Sequence, residues 1–313
     1  MVSTTTTAPS FINTRVQQWY QRGRLRDLHG KSIFTIDEGS EFDTAVVLIH
    51  GFPTSSMDWE PIWPALSRQF RTVTLDMWGF GFSDKPNTRC YSIHQQADLF
   101  EALISELGIH RYHVIAHDYG VSVAQELLAR HTPSHTSQWL SLCLLNGGLF
   151  PEAHHPILIQ KLMLSPLGKY INYLTGFKQF SKSFSSVFGA GSQPSEQELQ
   201  EFWEAINFNE GRHVFHNLIT YMNDRRTHRE RWVSALQNAP VPIALINGSV
   251  DPVSGAHLVK RYKELDCRLD YLAELPTTGH YPQVEAPQTV LDAYQSFLSE
   301  LGASKETITR PLA

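Results

Sequence analysis

The stretch Val114-Ile115-Ala116-His117-Asp118-Tyr119-Gly120 constrains this chain more than any other. Tyr112 to Ala116 is a short apolar run of the kind that fills a buried strand, and from Val121 to Arg130 apolar residues recur at helical spacing. So little chain lies between them that the strand must turn directly into the helix. The small residues Ala116 and Gly120 keep the corner tight, and Asp118 stands at its apex. A carboxylate there has two readings. It caps the helix, as an aspartate before a helix commonly does, or it is a reactive group presented at a strand end.

The surrounding text keeps the same rhythm. Ser32 to Ile36 alternates apolar and polar residues, and Glu38-Gly39-Ser40 turns the chain into Thr44-Ala45-Val46-Val47-Leu48-Ile49. Such a continuous, β-branched run suits a parallel strand buried on both faces. Further strands are expected over Arg71–Leu75, Leu140–Leu145, Val241–Asn247 and about 268–274. Helices are expected near 59–70, 93–107 with Gly108 as a C-cap, 257–264 and 287–301, and Gln17 to Leu28 reads as a short helix or strand. Strands alternating with helices at this spacing predict an α/β fold with a mostly parallel central sheet. The rhythm breaks at Leu149. From there to about Trp232 the text is helical and aromatic, and Pro151, Pro156, Pro166 and the segment Gly189 to Pro194 divide it into about four helices. Within it Ser195 and Glu198 read as a capping box. The expected organisation is a core of residues 1–148 and 236–313 with a helical lid, 149–235, inserted in it. Residues 1–12 and the polar tail after Gly302 are expected to lack fixed structure.

Composition narrows the function classes. The chain has 313 residues, 42% hydrophobic and 18% charged, which is ample for such a core. A net charge of −5 with interspersed signs leaves no basic footprint for nucleic acid. No apolar run approaches the roughly 18 residues that span a bilayer, and the N-terminus lacks the basic flank and apolar segment of a secretory signal. Cys90, Cys143 and Cys267 are odd in number and far apart, with Cys143 inside an apolar run. A buried thiol at 143 and a reducing, cytoplasmic location are therefore expected.

Chemistry concentrates at strand ends. Asp118, Asp251 (in Asn247-Gly248-Ser249-Val250-Asp251-Pro252) and His280 (in Thr277-Thr278-Gly279-His280-Tyr281-Pro282) each follow a predicted strand. Groups at the carboxyl ends of parallel strands converge. Their order, nucleophile, acid, histidine, is the one α/β-hydrolases use for a catalytic triad. Singly each has a plainer role, as helix cap, turn starter or loop histidine. Jointly, order and placement favour a triad. His50-Gly51-Phe52-Pro53 supplies the other half, since the backbone N–H groups of Phe52 and Tyr119 are the expected oxyanion hole.

These residues carry a resemblance. His50-Gly51-Phe52-Pro53, the Asp76 to Pro86 segment, His117-Asp118-Tyr119-Gly120 and Gly279-His280 resemble α/β-hydrolases with aspartate nucleophiles, namely epoxide hydrolases and haloalkane or haloacetate dehalogenases. The chain is more closely similar to the mesoderm-specific transcript family. That likeness lies in His117-Asp118-Tyr119-Gly120 with Val123-Ala124-Gln125-Glu126-Leu127-Leu128, in Leu145-Asn146-Gly147-Gly148-Leu149-Phe150-Pro151-Glu152, in Arg229-Glu230-Arg231-Trp232-Val233 and in His280-Tyr281-Pro282-Gln283. It spans about residues 30–300. The resemblance implies that a haloalkane dehalogenase would hold its halide with an Asn after His-Gly and a Trp after the nucleophile; Phe52 and Tyr119 stand there instead. It implies that an epoxide hydrolase would use lid tyrosines as donors to the opening oxygen. Tyr221 sits in such a context, with Tyr170 or Tyr173 as a second donor.

An aspartate nucleophile selects the reaction. A serine attacking a saturated carbon would leave an ether, which water does not readily cleave. A carboxylate leaves an alkyl ester, and it is already ionised near neutrality, so the first step needs no base. His280, oriented by Asp251, is then free to activate water in the second step. The sequence thus predicts hydrolysis of a small apolar electrophile, with water as second substrate and no cofactor. An epoxide is the first choice, and haloalkane or haloacid dehalogenation by the same mechanism is the alternative. Tyr221, Trp203 and His50 are the candidate substrate contacts, and His154-His155 in the lid are lesser ones. A non-catalytic receptor or scaffold, or lyase or cofactor-free oxygenase chemistry at the histidine–acid pair, are readings of other classes. His110, His113 and His117 suggest a metal only by count, because His113 and His117 lie on a strand rather than one helix face. Arg225, Arg226, Arg229 and Arg231, interrupted by Asp224 and Glu230, read as a solvated lid helix.

Overall fold

The computed structural model describes residues 9–87, 91–132, 137–165 and 167–309. Eight strands, β1 (Arg24–Leu28), β2 (Lys31–Glu38), β3 (Ala45–Ile49), β4 (Arg71–Leu75), β5 (Arg111–Ala116), β6 (Gln138–Leu144), β7 (Ile243–Gly248) and β8 (Tyr271–Leu275), form one sheet in the order β1-β2-β4-β3-β5-β6-β7-β8. β2 runs antiparallel to both β1 and β4, and the remaining pairings are parallel. The β-branched runs occupy the middle. Along β3, Ala45, Val47 and Ile49 enter one apolar cluster and Val46 and Leu48 the other, as a pleated strand covered on both faces requires. Helices Ile93–Glu106 and Tyr119–Arg130 cover the first face, and Thr14–Arg22 and Pro287–Thr309 the second. The first of these starts with a reciprocal cap between Ser92 and Gln95, and Gly108 follows it at φ 61, a conformation glycine adopts without strain.

Several segments differ from expectation. Gln17 to Leu28 is both helix and strand, split at Gly23. The helix expected near 59–70 is a 3₁₀ turn, Ser56–Trp59, and a single turn, Trp63–Leu66, because Pro61 and Pro64 cannot donate in a helix interior. Between β6 and β7, the four expected helices are instead shorter pieces: Leu158–Met163, Gly168–Leu174, Phe177–Ser185, Glu196–Asn207, Phe215–Leu218, Tyr221–Thr227 and Arg229–Gln237. Asn209 and Glu210, at φ 50 and 58, make one of the breaks, and the Ser195–Glu198 capping box opens the longest piece. Residues 1–8 and Cys90 lie outside the described residues. Phe11, in the tract expected to lack structure, packs on Tyr20, Phe82 and Phe208. The last helix runs to Thr309, past its expected end. Cys143 and Cys267 are buried free thiols. No helix among the described residues is long and apolar enough to cross a membrane.

Candidate active site

The turn after β5 sets the site. Asp118 adopts φ 45 and ψ −107, a conformation that costs a non-glycine residue on the order of 1–3 kcal/mol and persists only when its surroundings enforce it. They do so here. Its N–H donates to the Asn146 carbonyl at 2.8 Å, and the Gly120 N–H donates to the His117 carbonyl at 2.8 Å. Gly120 lies so close to β3 that a Cβ there would sit 2.4 Å from the Ile49 carbonyl oxygen. Asp118 occupies the N-cap position, yet its side chain makes no capping bond. Its Oδ2 accepts from the Phe52 N–H at 2.9 Å, and its Oδ1 lies 3.6 Å from His280 Nε2. The carboxylate thus faces away from the helix it precedes.

Asp251 and His280 arrive from the ends of β7 and β8. His280 Nδ1 donates to Asp251 Oδ2 at 2.7 Å, which fixes the ring and turns Nε2 toward Asp118. Asp251 also accepts from the Ser254 hydroxyl (2.7 Å), the Ser254 N–H (3.0 Å), Asn146 Nδ2 (3.0 Å) and, on Oδ1, the Val253 N–H (2.7 Å). His117 Nε2 donates to the His280 carbonyl at 2.7 Å, which pins the backbone of the histidine loop.

These contacts decide the charges. Burial disfavours an ionised Asp118, but His280 and, behind it, Arg225 outweigh this and hold it well below the usual carboxylate range. Burial likewise opposes charge on Asp251, and His280 with the Ser254 and Val253 donors lowers its pKa nonetheless. For His280, burial works against the imidazolium, while Asp251 and then Asp118 raise its pKa to about 10. Burial lowers the His117 pKa to about 3. At neutral pH the centre therefore holds two carboxylates and one imidazolium.

Asp118 and His280 open onto a cavity of about 150 Å³, lined otherwise chiefly by apolar side chains such as Phe52, Met163, Phe180, Phe184 and Phe215. A space of that size holds a benzene-sized molecule. The three expected substrate contacts do not line it. Tyr221 is fully buried, its ring 4.7 Å from that of Tyr119 and covered on another side by the Arg225 guanidinium at 4.5 Å. Trp203 packs behind the lining, on Phe180 and Phe177. His50 is consumed by the backbone: its Nε2 accepts from the Met77 N–H at 3.0 Å and its Nδ1 donates to the Gly51 carbonyl at 2.9 Å. Tyr170 is exposed rather than turned inward, and the side chain of Tyr173 lies outside the described residues. His154 is buried beside Gly148 and Arg225, while His155 stacks on His257.

A sequence profile described as "alpha/beta hydrolase fold" matches residues 44–161. The mesoderm-specific transcript homolog protein of Homo sapiens is 40% identical over 304 residues, spanning 93% of this chain and 90% of that one. This chain belongs to that α/β-hydrolase family. The putative hydrolase LipZ of Mycobacterium tuberculosis is 35% identical over 284 residues, 90% of this chain and 98% of that one. Among solved structures, the haloalkane dehalogenase DbeA of Bradyrhizobium elkani shares the fold, with a TM-score of 0.75 at 22% identity, over 90% of this chain and 99% of that one.

Two residues of this α/β-hydrolase escaped the sequence reading. Asn146 ties the loops together: its carbonyl holds the Asp118 N–H, and its side chain exchanges bonds with Gly248 and reaches Asp251. Its place just past a strand, in Asn146-Gly147-Gly148, was the available signal. Arg225 is buried rather than solvated. Its Nε donates to the Ser122 hydroxyl at 2.7 Å and its Nη2 to the Asp118 carbonyl at 3.1 Å. Nothing local in the basic run distinguishes it from Arg226, which is exposed.

Proposed function

We propose that this protein hydrolyses a small apolar electrophile at a saturated carbon, through an alkyl ester on Asp118. The observation that carries the reading is the position of the Asp118 carboxylate. It sits on a strained strand-to-helix corner, uses no capping bond, opens onto an apolar cavity, and has His280 at 3.6 Å backed by Asp251 at 2.7 Å. Asp118 attacks carbon and the leaving group departs with its electron pair. His280 then takes a proton from water as that water attacks the ester carbonyl. The Phe52 N–H, already on Oδ2 at 2.9 Å, and the N–H of Tyr119, first in the helix, hold the resulting oxyanion. Collapse frees the alcohol and restores the carboxylate. The helices of 149–235 serve as the lid that keeps bulk water from the ester.

An epoxide remains the first substrate class. Phe52 and Tyr119 occupy the positions of a halide pair, and the imidazolium of His280 stands beside the nucleophile to protonate the opening oxygen. That transfer leaves His280 neutral, which is the form the second step needs, and the cycle closes without net proton release. Tyr221, which is not among the cavity-lining residues, no longer argues for this choice. One observation favours the second reading, a halide: a halide leaves without a proton, and the one tyrosine among the lining residues, Tyr281, points its hydroxyl at the Phe52 carbonyl, 3.3 Å away.

The test is turnover in ¹⁸O-labelled water with epoxide and haloalkane panels, followed by mass analysis of the peptide containing Asp118. Label in that carboxylate supports the ester. Intact mass of His280→Gln separates the substrate classes, since a haloalkane adduct accumulates at the wild-type rate whereas an epoxide adduct forms more slowly without its proton donor. Unlabelled Asp118 under turnover, with Asp118→Ala equally active, would sink the covalent reading.

A further inference from the structure

Among the described residues, the exposed large apolar side chains Ile12, Leu25 and Val250 stand apart along the chain. Leu158 (72% exposed), Leu162 (41%), Leu167 (62%) and Tyr170 (59%) instead fall together in the two short helices Leu158–Met163 and Gly168–Leu174. Leu158 and Leu162 are four residues apart and so share a helix face. The opposite side of the same helix carries Ile159, Gln160 and Met163, which line the cavity. This element is therefore apolar toward the cavity and apolar toward solvent. A helix that only covered a cavity would turn polar side chains outward.

Charge marks the same stretch of chain. Residues 153–195 contain four lysines, Lys161, Lys169, Lys178 and Lys182, and no Arg, Asp or Glu, in a chain whose net charge is −5. All four lysines are exposed. A second copy of the chain fits poorly, because a symmetric contact would set these lysines against themselves. An anionic bilayer satisfies both features. The apolar side chains enter the headgroup layer, and the lysines stay at the level of the phosphates.

We propose that the face carrying Leu158, Leu162, Leu167 and Tyr170, with Lys161 and Lys169 on the same two helices, docks on the surface of a membrane that carries anionic lipid. Docking sets the cavity-lining helix against the lipid, so that an apolar substrate reaches Asp118 from the bilayer rather than from water. That route rests on the catalytic reading above; the docking itself does not.

Flotation of the full chain with vesicles tests it, using phosphatidylcholine with and without phosphatidylserine, at physiological and at high salt. Wild type and Asp118→Asn are both expected to float with the anionic vesicles, to bind neutral ones weakly, and to be released by salt. Asp118→Asn keeps the result independent of catalysis. Lys161→Gln with Lys169→Gln should weaken binding about twenty-five-fold, from about fivefold per lysine, and Leu158→Ser with Leu162→Ser should abolish flotation. These positions are exposed, and unchanged circular dichroism and melting confirm that the variants fold. The proposal is overturned if wild type does not float, if the variants bind as wild type does, or if the leucine variant instead dissolves a dimer of a protein that ignores vesicles.

Discussion

Replacing Asp118 by asparagine removes a negative charge 3.6 Å from His280 Nε2 while keeping the shape of the side chain. At that distance two unit charges attract by about 4–5 kcal/mol for an effective dielectric constant near 20. The substitution should therefore weaken proton binding at His280 on the order of a thousandfold. In the wild-type protein burial opposes the imidazolium, but Asp251 and Asp118 carry the His280 pKa to about 10, so at neutral pH the ring cannot accept a proton from water. In the proposed mechanism, forming the ester on Asp118 erases the same charge that the asparagine does. On that proposal the histidine becomes a base only once there is an ester to hydrolyse, and Asp118→Asn imitates that moment. Long-range ¹H–¹⁵N spectra of histidine-labelled protein, with His280→Gln to assign the signal, should show wild-type His280 charged through neutrality and the Asp118→Asn ring titrating far lower. Stability gives a second readout. A raised histidine pKa contributes stability in full below the ordinary value of about 6.5, and that contribution is lost as pH rises through the folded-state value. Wild-type melting temperature should fall toward pH 10, and the Asp118→Asn profile should be flatter there. A His280 titration unchanged by Asp118→Asn would refute the reasoning.

Two further substitutions probe the corner and its support. Gly120→Ala places a Cβ 2.4 Å from the Ile49 carbonyl oxygen and 2.6 Å from that of His50. The helix must then withdraw by about 1 Å, a displacement that costs a nucleophile about a hundredfold in rate; a single-turnover rate equal to wild type would show the corner to be more forgiving. Arg225→Met removes the charged bonds to Ser122 and to the Asp118 carbonyl and should slow ester formation about tenfold or more, the lower range for a charge-assisted hydrogen bond. Arg225→Lys should not restore the rate, because an ammonium cannot span both acceptors as the guanidinium fork does; full recovery in the lysine variant would argue against that geometry.

The sequence by itself determined the sheet and the corner. Thr44–Ile49 and Tyr112–Ala116 could be read as buried strands because a strand covered on both faces must be apolar at every position, a property of the run alone. Asp118, Asp251 and His280 were legible for a similar reason: each follows its own strand, and parallel strands present their carboxyl ends on one edge. The tertiary structure decided the rest. Whether a side chain on a short helix faces a cavity, a neighbour or water depends on how that helix is docked, and the pieces between β6 and β7 are too short for their own periodicity to say. Tyr221 turned onto Tyr119 and Arg225, Trp203 fell behind Phe180, and His50 spent both ring nitrogens on backbone groups of Met77 and Gly51. Arg225, one of four arginines in a run, became the buried partner of the Asp118 backbone. Each of these outcomes joins residues far apart in the chain or sets a side chain by packing. Local pattern carries no record of such partners, and they form only when the helices close over the sheet.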